Sequence, residues 1–171
     1  MFQRYVETYF FTSTILNWNN LLADDNCKQF IISSINFLVA QKRVYILAFV
    51  IMPNHQHLIW QIREGHERQN VQRDFMKYTA QQMKFYLSKN NAAVLQKFRV
   101  DAADREFQIW ERNPLSVAIV NESVFMQKLN YIHLNPVVDR WRLCESPEQY
   151  RYLSARFYWS GKDEFGFLGK H

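Results

Sequence analysis

The feature that most constrains this chain is a pair of apolar segments joined by a short turn. The first, VYILAFVIM, runs from Val44 to Met52 and stops at Pro53. A continuous apolar run of this kind predicts a β-strand that is buried on both faces. Its nine residues are too few for a membrane span, which needs about 20. Pro53 and Asn54 favour a turn that returns the chain as a further strand, HQHLIWQI.

Other segments alternate between strand and helix patterns. Residues 5–16 are rich in aromatic and β-branched side chains and predict an earlier strand. Asp24 and Asp25 offer an N-cap for a helix, and further helices are predicted over residues 67–89 and 122–134. FQIW and LSVAIV, between these two helices, predict a hairpin or a short fourth strand. The order predicts an α+β fold, a ferredoxin-like sandwich whose mainly antiparallel sheet of roughly four to five strands has helices packed on one face.

The remaining segments have weaker patterns. Residues 90–106 favour a short helix and an exposed loop. The sequence from Ser146 to Gln149 has the form of a capping box and predicts a basic aromatic helix over QYRYLSARFYW. We expect residues 1–160 to form a single domain and the glycine-spaced residues 161–171 to form a frayed C-terminal tail.

The composition indicates a folded protein with reduced thiols. The chain has 171 residues, 48% of them hydrophobic and only 4 of them glycine, which excludes a disordered or collagen-like chain. Cys27 and Cys144 are too few for a disulfide scaffold or a four-thiolate zinc site. The segment MFQRYVETYFFTS lacks the apolar core of a signal peptide, so we expect a cytoplasmic protein. The net charge of +5 suits a phosphate-bearing partner, although many soluble proteins share it.

Two histidines at the start of HQHLIWQI form the sharpest local motif. Side chains alternate along a strand, so His55 and His57 point to one face and Gln56 points to the other. Two imidazoles in this arrangement can bind one divalent metal ion. The alternative is that they are solvated polar residues at the start of a strand. Leu58 and Trp60 indicate a packed strand, which favours a preorganised site.

The helix predicted over residues 122–134 has a polar face beside an apolar one. Phe125, Leu129 and Ile132 form its apolar stripe. Tyr131 and Asn135 lie one turn apart on another face. A tyrosine in this position is usually an amphipathic residue at the edge of a core. The functional alternative is a nucleophile, because a divalent cation that polarises a target phosphate compensates for the weak reactivity of a phenol.

These two segments together resemble a known family. AFVIMPNHQHLIW, followed downstream by NYIHLNPV, resembles the motifs of the HUH single-tyrosine transposases, and most of all their REP-associated tyrosine transposase branch. FQIWERN and YRYLSARFYW are also similar to that family. The resemblance covers nearly the whole chain and implies that residues 1–160 are one transposase domain of the HUH endonuclease type.

The resemblance also implies a mechanism and roles for particular residues. Tyr131 matches the nucleophile, and His55, His57 and Asn135 match the metal ligands. The implied reaction cleaves and rejoins single-stranded DNA beside a hairpin, through a covalent 5′-phosphotyrosine intermediate and with Mg²⁺ or Mn²⁺. A homodimer in the bacterial cytoplasm, associated with the nucleoid, is implied as well.

Basic side chains and Gln56 leave alternatives open. Arg73, Lys77 and Lys84, and separately Arg151 and Arg156, are predicted to bind DNA phosphates, although each group could equally be a solvated helix face.

The family normally has a hydrophobic residue where this chain has Gln56, since that position faces the core. A catalytically decayed protein that binds hairpin DNA is therefore an alternative to an active transposase or nickase. A metal-dependent hydrolase that activates water is a third hypothesis.

Overall fold

The computed structural model describes residues 4–169, in which strands and helices alternate along the chain. The strands are β1 (Thr8–Thr14), β2 (Val44–Ile51), β3 (His55–Ile62), β4 (Arg99–Ala102), β5 (Arg105–Phe107) and β6 (Leu115–Ala118). The helices are α1 (Asp25–Ala40), α2 (Arg68–Asn90), α3 (Ala92–Gln96), α4 (Glu122–Leu134) and α5 (Ala155–Ser160). None of the helices within residues 4–169 is long and apolar enough to cross a membrane.

The main sheet has four antiparallel strands in the order β2-β3-β1-β6. The turn at Pro53 makes β2 and β3 neighbours, and β1 pairs with the other edge of β3. Strands β4 and β5 form a separate hairpin. The α+β fold and the antiparallel sheet are confirmed, whereas the exposed loop expected within residues 90–106 contains most of this hairpin.

One face of the sheet holds the larger core. Phe11 of β1 stacks on Trp60 of β3 with ring centroids 4.8 Å apart, and Phe75 of α2 meets both rings edge-on. Helices α1 and α2 cover this face with fully buried residues such as Ile31 and Val71. Apolar burial on this scale is the main stabilising contribution to the fold, at about 25 cal/mol per Å² of apolar surface removed from water.

The opposite face of the sheet is covered by α4. Phe125, Leu129 and Ile132, the predicted apolar stripe, pack against Phe10 of β1 and Ile59 of β3. The expectation that the helices occupy one face is therefore wrong for α4. The physical reason is that β2 is a nearly continuous apolar run and β3 carries large apolar side chains toward both faces, so both faces of these strands must be shielded from water.

Side-chain caps set the start of α1 and α4, among other helices. The Asp24 carboxylate accepts a 2.9 Å hydrogen bond from the backbone amide of Asn26, as predicted for the N-cap of α1. The Asn121 side chain accepts a 2.9 Å hydrogen bond from the amide of Val124 at the start of α4. This second cap fixes where α4 begins, and so fixes the rotational position of every later residue on the helix.

The C-terminal segment covers the free edge of β2. Leu153 forms an antiparallel bridge with Val50, and Leu168 forms a parallel bridge with Ile46. The predicted basic aromatic helix is therefore only α5, because residues 151–154 form turns whose backbone bonds to the edge of β2 instead of continuing a helix. The tail up to residue 169 is packed rather than frayed: Phe167 is buried in the larger core. Residues 170 and 171 of the predicted tail lie outside the described residues.

Gln56 is buried in the larger core and is hydrogen-bonded. Its Nε2 donates to Ser13 Oγ on β1 at 2.7 Å, while its Oε1 has no partner. Ser13 lies directly opposite Gln56 in the register of β1 and β3. The neighbouring strand thus offsets part of the cost of burying an amide, and β3 keeps regular pairing with β1 and β2 around Gln56; the register shift of β2 lies farther along, between Ile46 and Ala48.

Substituting Ser13→Ala should lower the free energy of unfolding by about 1–3 kcal/mol, because the Gln56 amide then has no partner. The double variant Ser13→Ala/Gln56→Met should recover most of this loss, since both polar groups are removed together. Urea unfolding followed by circular dichroism measures both changes. Equal stability of the wild type and Ser13→Ala would contradict this interpretation of the buried pair.

Candidate active site

The two predicted metal ligands lie side by side on the α4 face of the sheet. His55 and His57 begin β3, and their ring centroids are 4.8 Å apart. Both side chains are buried. Their common orientation follows from strand alternation, with Gln56 pointing to the opposite face. The predicted juxtaposition of the two histidines is therefore present.

His57 is held by two residues of β1. Its Nδ1 is 2.6 Å from Thr12 Oγ1, the residue opposite it in the strand register. Its ring stacks on Phe10 with centroids 5.1 Å apart. The other ring nitrogen, Nε2, is buried and has no hydrogen-bond partner. An unpartnered buried nitrogen costs free energy unless a ligand binds it.

His55 lies next to two polar side chains, those of Asn54 and Asn135. Its Nδ1 donates to Asn54 Oδ1 at 2.7 Å, which leaves Nε2 as the unprotonated nitrogen of the neutral ring. The Asn135 side chain lies close enough to His55 to raise its pKa, against the larger effect of burial. The Trp141 ring is 5.9 Å from the His55 ring and closes that side of the site.

Both imidazoles are neutral at physiological pH. Burial lowers the pKa of His55 to about 4 and the pKa of His57 to about 3. Nearby positive charge acts in the same direction: Arg140 on His55, and His55 and Lys128 on His57. Neutral imidazole is the form that binds metals, so the site does not need to lose a proton before it binds one.

Tyr131 is close to these histidines and open to solvent. Its ring centroid is 5.2 Å from that of His57 and 6.0 Å from that of Phe10. About half of the residue is accessible, at 54%. The buried stripe of α4 holds the helix against the sheet, and this places the exposed Tyr131 at the mouth of the site and the buried Asn135 within it. The site residues predicted from the two separate motifs therefore meet in space.

The residues present fit a divalent metal ion whose coordination is completed from outside the chain. Two neutral imidazoles and the Asn135 amide are available, and His57 Nε2 has no other partner. In the described part of the chain, no cluster of three or more His, Cys, Asp or Glu residues could hold a metal ion. Ions such as Mg²⁺ keep several waters or bind substrate phosphates, which would supply the remaining oxygens.

The first group of predicted DNA-binding residues lies on the far side of the sheet. Arg73, Lys77 and Lys84 line a groove of 450 Å³ between α2 and the segment from Asp104 to Arg112. Arg73 is paired with Asp74 at 3.1 Å. Because α2 packs on the face opposite α4, this groove does not adjoin the histidines, and DNA binding there stays a prediction.

The second group of predicted DNA-binding residues is engaged within the C-terminal segment. Arg151 forms a 2.6 Å ion pair with Glu164. Arg156 donates to the backbone carbonyl of Glu148 at 3.2 Å. Both arginines stabilise the segment that covers β2, and a role in binding phosphate stays a prediction.

Thr12, Trp141 and Lys128 are among the contributors to the site that were not assigned from the sequence. Thr12 reaches His57 only through strand pairing, which local sequence does not reveal. Trp141 approaches His55 through an irregular loop after α4. Of these three residues, only Lys128 could have been linked to the site from the sequence, because it lies three residues before Tyr131 and therefore on the same side of the helix.

The depressed histidine pKa values predict acid sensitivity. His55, His57 and His133 have folded pKa values of about 4, 3 and 4, below the usual value of 6.5. Their contribution to stability is complete above pH 6.5 and is lost as the pH falls toward the folded values. Each histidine should steepen the loss by up to about 1.4 kcal/mol per pH unit. Urea unfolding at several pH values measures the slope, and ring titration near pH 6.5 by NMR would contradict it.

The structure is similar to that of a REP-associated tyrosine transposase bound to a REP hairpin. The sequences are 20% identical, the match covers 99% of this chain and 90% of that chain, and the TM-score is 0.67. A proposed transposase from Deinococcus radiodurans R1 is 16% identical over 73% of this chain and 87% of that chain, with a TM-score of 0.49. No protein-family model and no curated protein sequence matches this chain. The chain thus has the fold of a tyrosine transposase of the REP-associated kind.

Proposed function

We propose that this protein is a transposase or nickase that cleaves and rejoins single-stranded DNA through Tyr131. The observation that carries the proposal is the position of the accessible Tyr131 ring, 5.2 Å from the ring of a buried histidine whose Nε2 has no partner. A nucleophile thus lies beside a nitrogen that is free to bind a metal. The motifs that supply these residues are separate in the sequence.

The reaction is a transesterification at phosphorus. The Tyr131 hydroxyl oxygen forms a bond to the phosphorus of the target phosphodiester, and the bond from phosphorus to the 3′ oxygen breaks. The phenolic proton is lost and the departing 3′ oxygen gains one, which leaves a 5′-phosphotyrosine and a free 3′-hydroxyl. Because one phosphodiester replaces another, the reverse step can rejoin DNA without ATP.

His55, His57 and Asn135 would hold a divalent metal ion, Mg²⁺ or Mn²⁺. When bound, such an ion neutralises charge on the nonbridging oxygens of the target phosphate. Mg²⁺ prefers oxygen ligands and imidazole suits transition metals better, so Mn²⁺ should support the reaction well. Thr12 and Asn54 orient the two imidazoles through their Nδ1 atoms, which leaves Nε2 of each ring as the nitrogen that would bind the ion.

The proposed DNA substrate contains a hairpin. The similar transposase structure has a REP hairpin bound, which supports a folded single strand as the partner here. Arg73, Lys77 and Lys84 would bind its phosphates in the groove of α2, with Arg151 and Arg156 as a second contact. We also propose that the protein acts as a homodimer and in the bacterial cytoplasm, at the nucleoid.

Burial of Gln56 does not argue against activity. Its amide is hydrogen-bonded to Ser13, and β3 pairs regularly through His55 and His57. The strand that presents the histidines therefore keeps its register. A protein that binds hairpin DNA without cutting it becomes an outcome of the experiment below.

The Tyr131→Phe variant should lose all covalent protein–DNA adduct, because it lacks the attacking oxygen. The test uses a denaturing gel, with labelled single-stranded DNA from around the gene, flanking hairpins included, and with or without Mn²⁺. The wild type should give a Mn²⁺-dependent adduct. Tyr78→Phe is the matched control, since Tyr78 is another half-exposed helical tyrosine, at 42%, and should leave the adduct unchanged.

Other outcomes separate the alternatives. Cleavage that persists in Tyr131→Phe would indicate water as the nucleophile and a hydrolase. A shifted hairpin on a native gel, with no cleavage by the wild type, would indicate a binding protein.

His57→Ala should lower adduct formation by about 100-fold or more, as expected when a group that stabilises transition-state charge is removed.

A further inference from the structure

Lys128 lies on α4 one helical turn before Tyr131. Residues three apart on a helix are surface neighbours, and helical side chains lean toward the N-terminus. The Tyr131 side chain therefore leans toward the turn that carries Lys128. The Lys128 side chain is partly buried, and its Nζ lies 4.8 Å from the centre of the Phe10 ring.

The Phe10 ring connects Lys128 to the rest of the site. The same ring stacks on His57 at 5.1 Å and meets Tyr131 edge-on at 6.0 Å. Phe10 is buried, with 3% of its surface accessible, so it is a fixed platform. A cation–π contact directs the ammonium group but leaves N–H donors free for another partner.

Lys128 is one of two cations that act on the histidines of the site. None of the ion pairs formed within residues 4–169 involves Lys128. The charged neighbours felt by the two histidines are Lys128 and Arg140, both cations. A site whose charged neighbours among residues 4–169 are these cations, and which is half shielded from water, is suited to an anion.

Resting on the proposed function, we propose that Lys128 is a catalytic residue that binds a nonbridging oxygen of the phosphodiester attacked by Tyr131. Negative charge grows on these oxygens as the new bond forms. A positioned ammonium stabilises that charge more strongly than solvent does, because it needs no reorganisation. Lys128 thus acts from the tyrosine side of the phosphate, and the histidines act from the sheet side.

Lys128→Ala should slow adduct formation by about 100-fold at saturating DNA, the typical effect of removing one such donor. Lys128→Arg should recover part of the rate, because it keeps the charge. Lys89→Ala is the matched control: the Lys89 Nζ makes the same kind of contact with Phe85, at 4.2 Å, at the C-terminal end of α2. That variant should keep the wild-type rate. A wild-type rate in Lys128→Ala would overturn the proposal.

A second measurement separates the role of Lys128 from the proposed function. Acetic anhydride labels accessible lysines, and mass spectrometry of the Tyr131→Phe protein reports each site with and without the hairpin DNA. We expect DNA to suppress labelling of Lys128 and not of Lys89. Suppression would support the phosphate contact even if the wild type formed no adduct, in which case only the proposed function fails. Equal labelling of Lys128 with and without bound DNA would overturn the contact.

Discussion

The antiparallel pairing of β3 between β1 and β2 is the constraint on which the whole molecule depends. It gives β3 two buried faces with different contents. One face carries Leu58 and Trp60 into the larger core, and the other carries His55 and His57 into the site. A slip of one residue in this pairing would exchange the faces and bury the histidines among the aromatic rings of the core. Stability and site geometry therefore come from the same hydrogen bonds.

Helix α4 supplies the second half of the site, and here too the packing that stabilises the fold also positions the site residues. Its buried stripe holds the helix against the sheet, each large side chain contributing about 1.5–3 kcal/mol when fully buried. The direction of the polar face of α4 is set by the packing of this stripe and not by contacts that the polar side chains make themselves. Tyr131 and Asn135 therefore reach the histidines, and Lys128 reaches the Phe10 ring beside them. None of the ion pairs within residues 4–169 involves these three residues, which is consistent with the anionic substrate that we propose.

Much of this arrangement could be predicted from sequence because it rests on local periodicity. Strand alternation placed His55 and His57 together, and helical spacing placed Tyr131 with Asn135. Contacts across strands and between layers have no such local signal. Thr12 is distant from His57 in sequence, and the side of the sheet that α4 covers depends on the whole chain. The same limit applies to the β4–β5 hairpin, whose short strands are mostly exposed and lack a clear apolar alternation.

The most direct measurement is a crystal structure of the Tyr131→Phe protein with hairpin DNA and Mn²⁺, using the anomalous signal of the metal. The prediction is a peak within coordination distance of Nε2 of both His55 and His57, with a DNA phosphate between it and the ring at position 131. A peak elsewhere, or no peak at saturating Mn²⁺ with DNA bound, would contradict a metal site built by these histidines. A phosphate positioned away from residue 131 would contradict Tyr131 as the nucleophile.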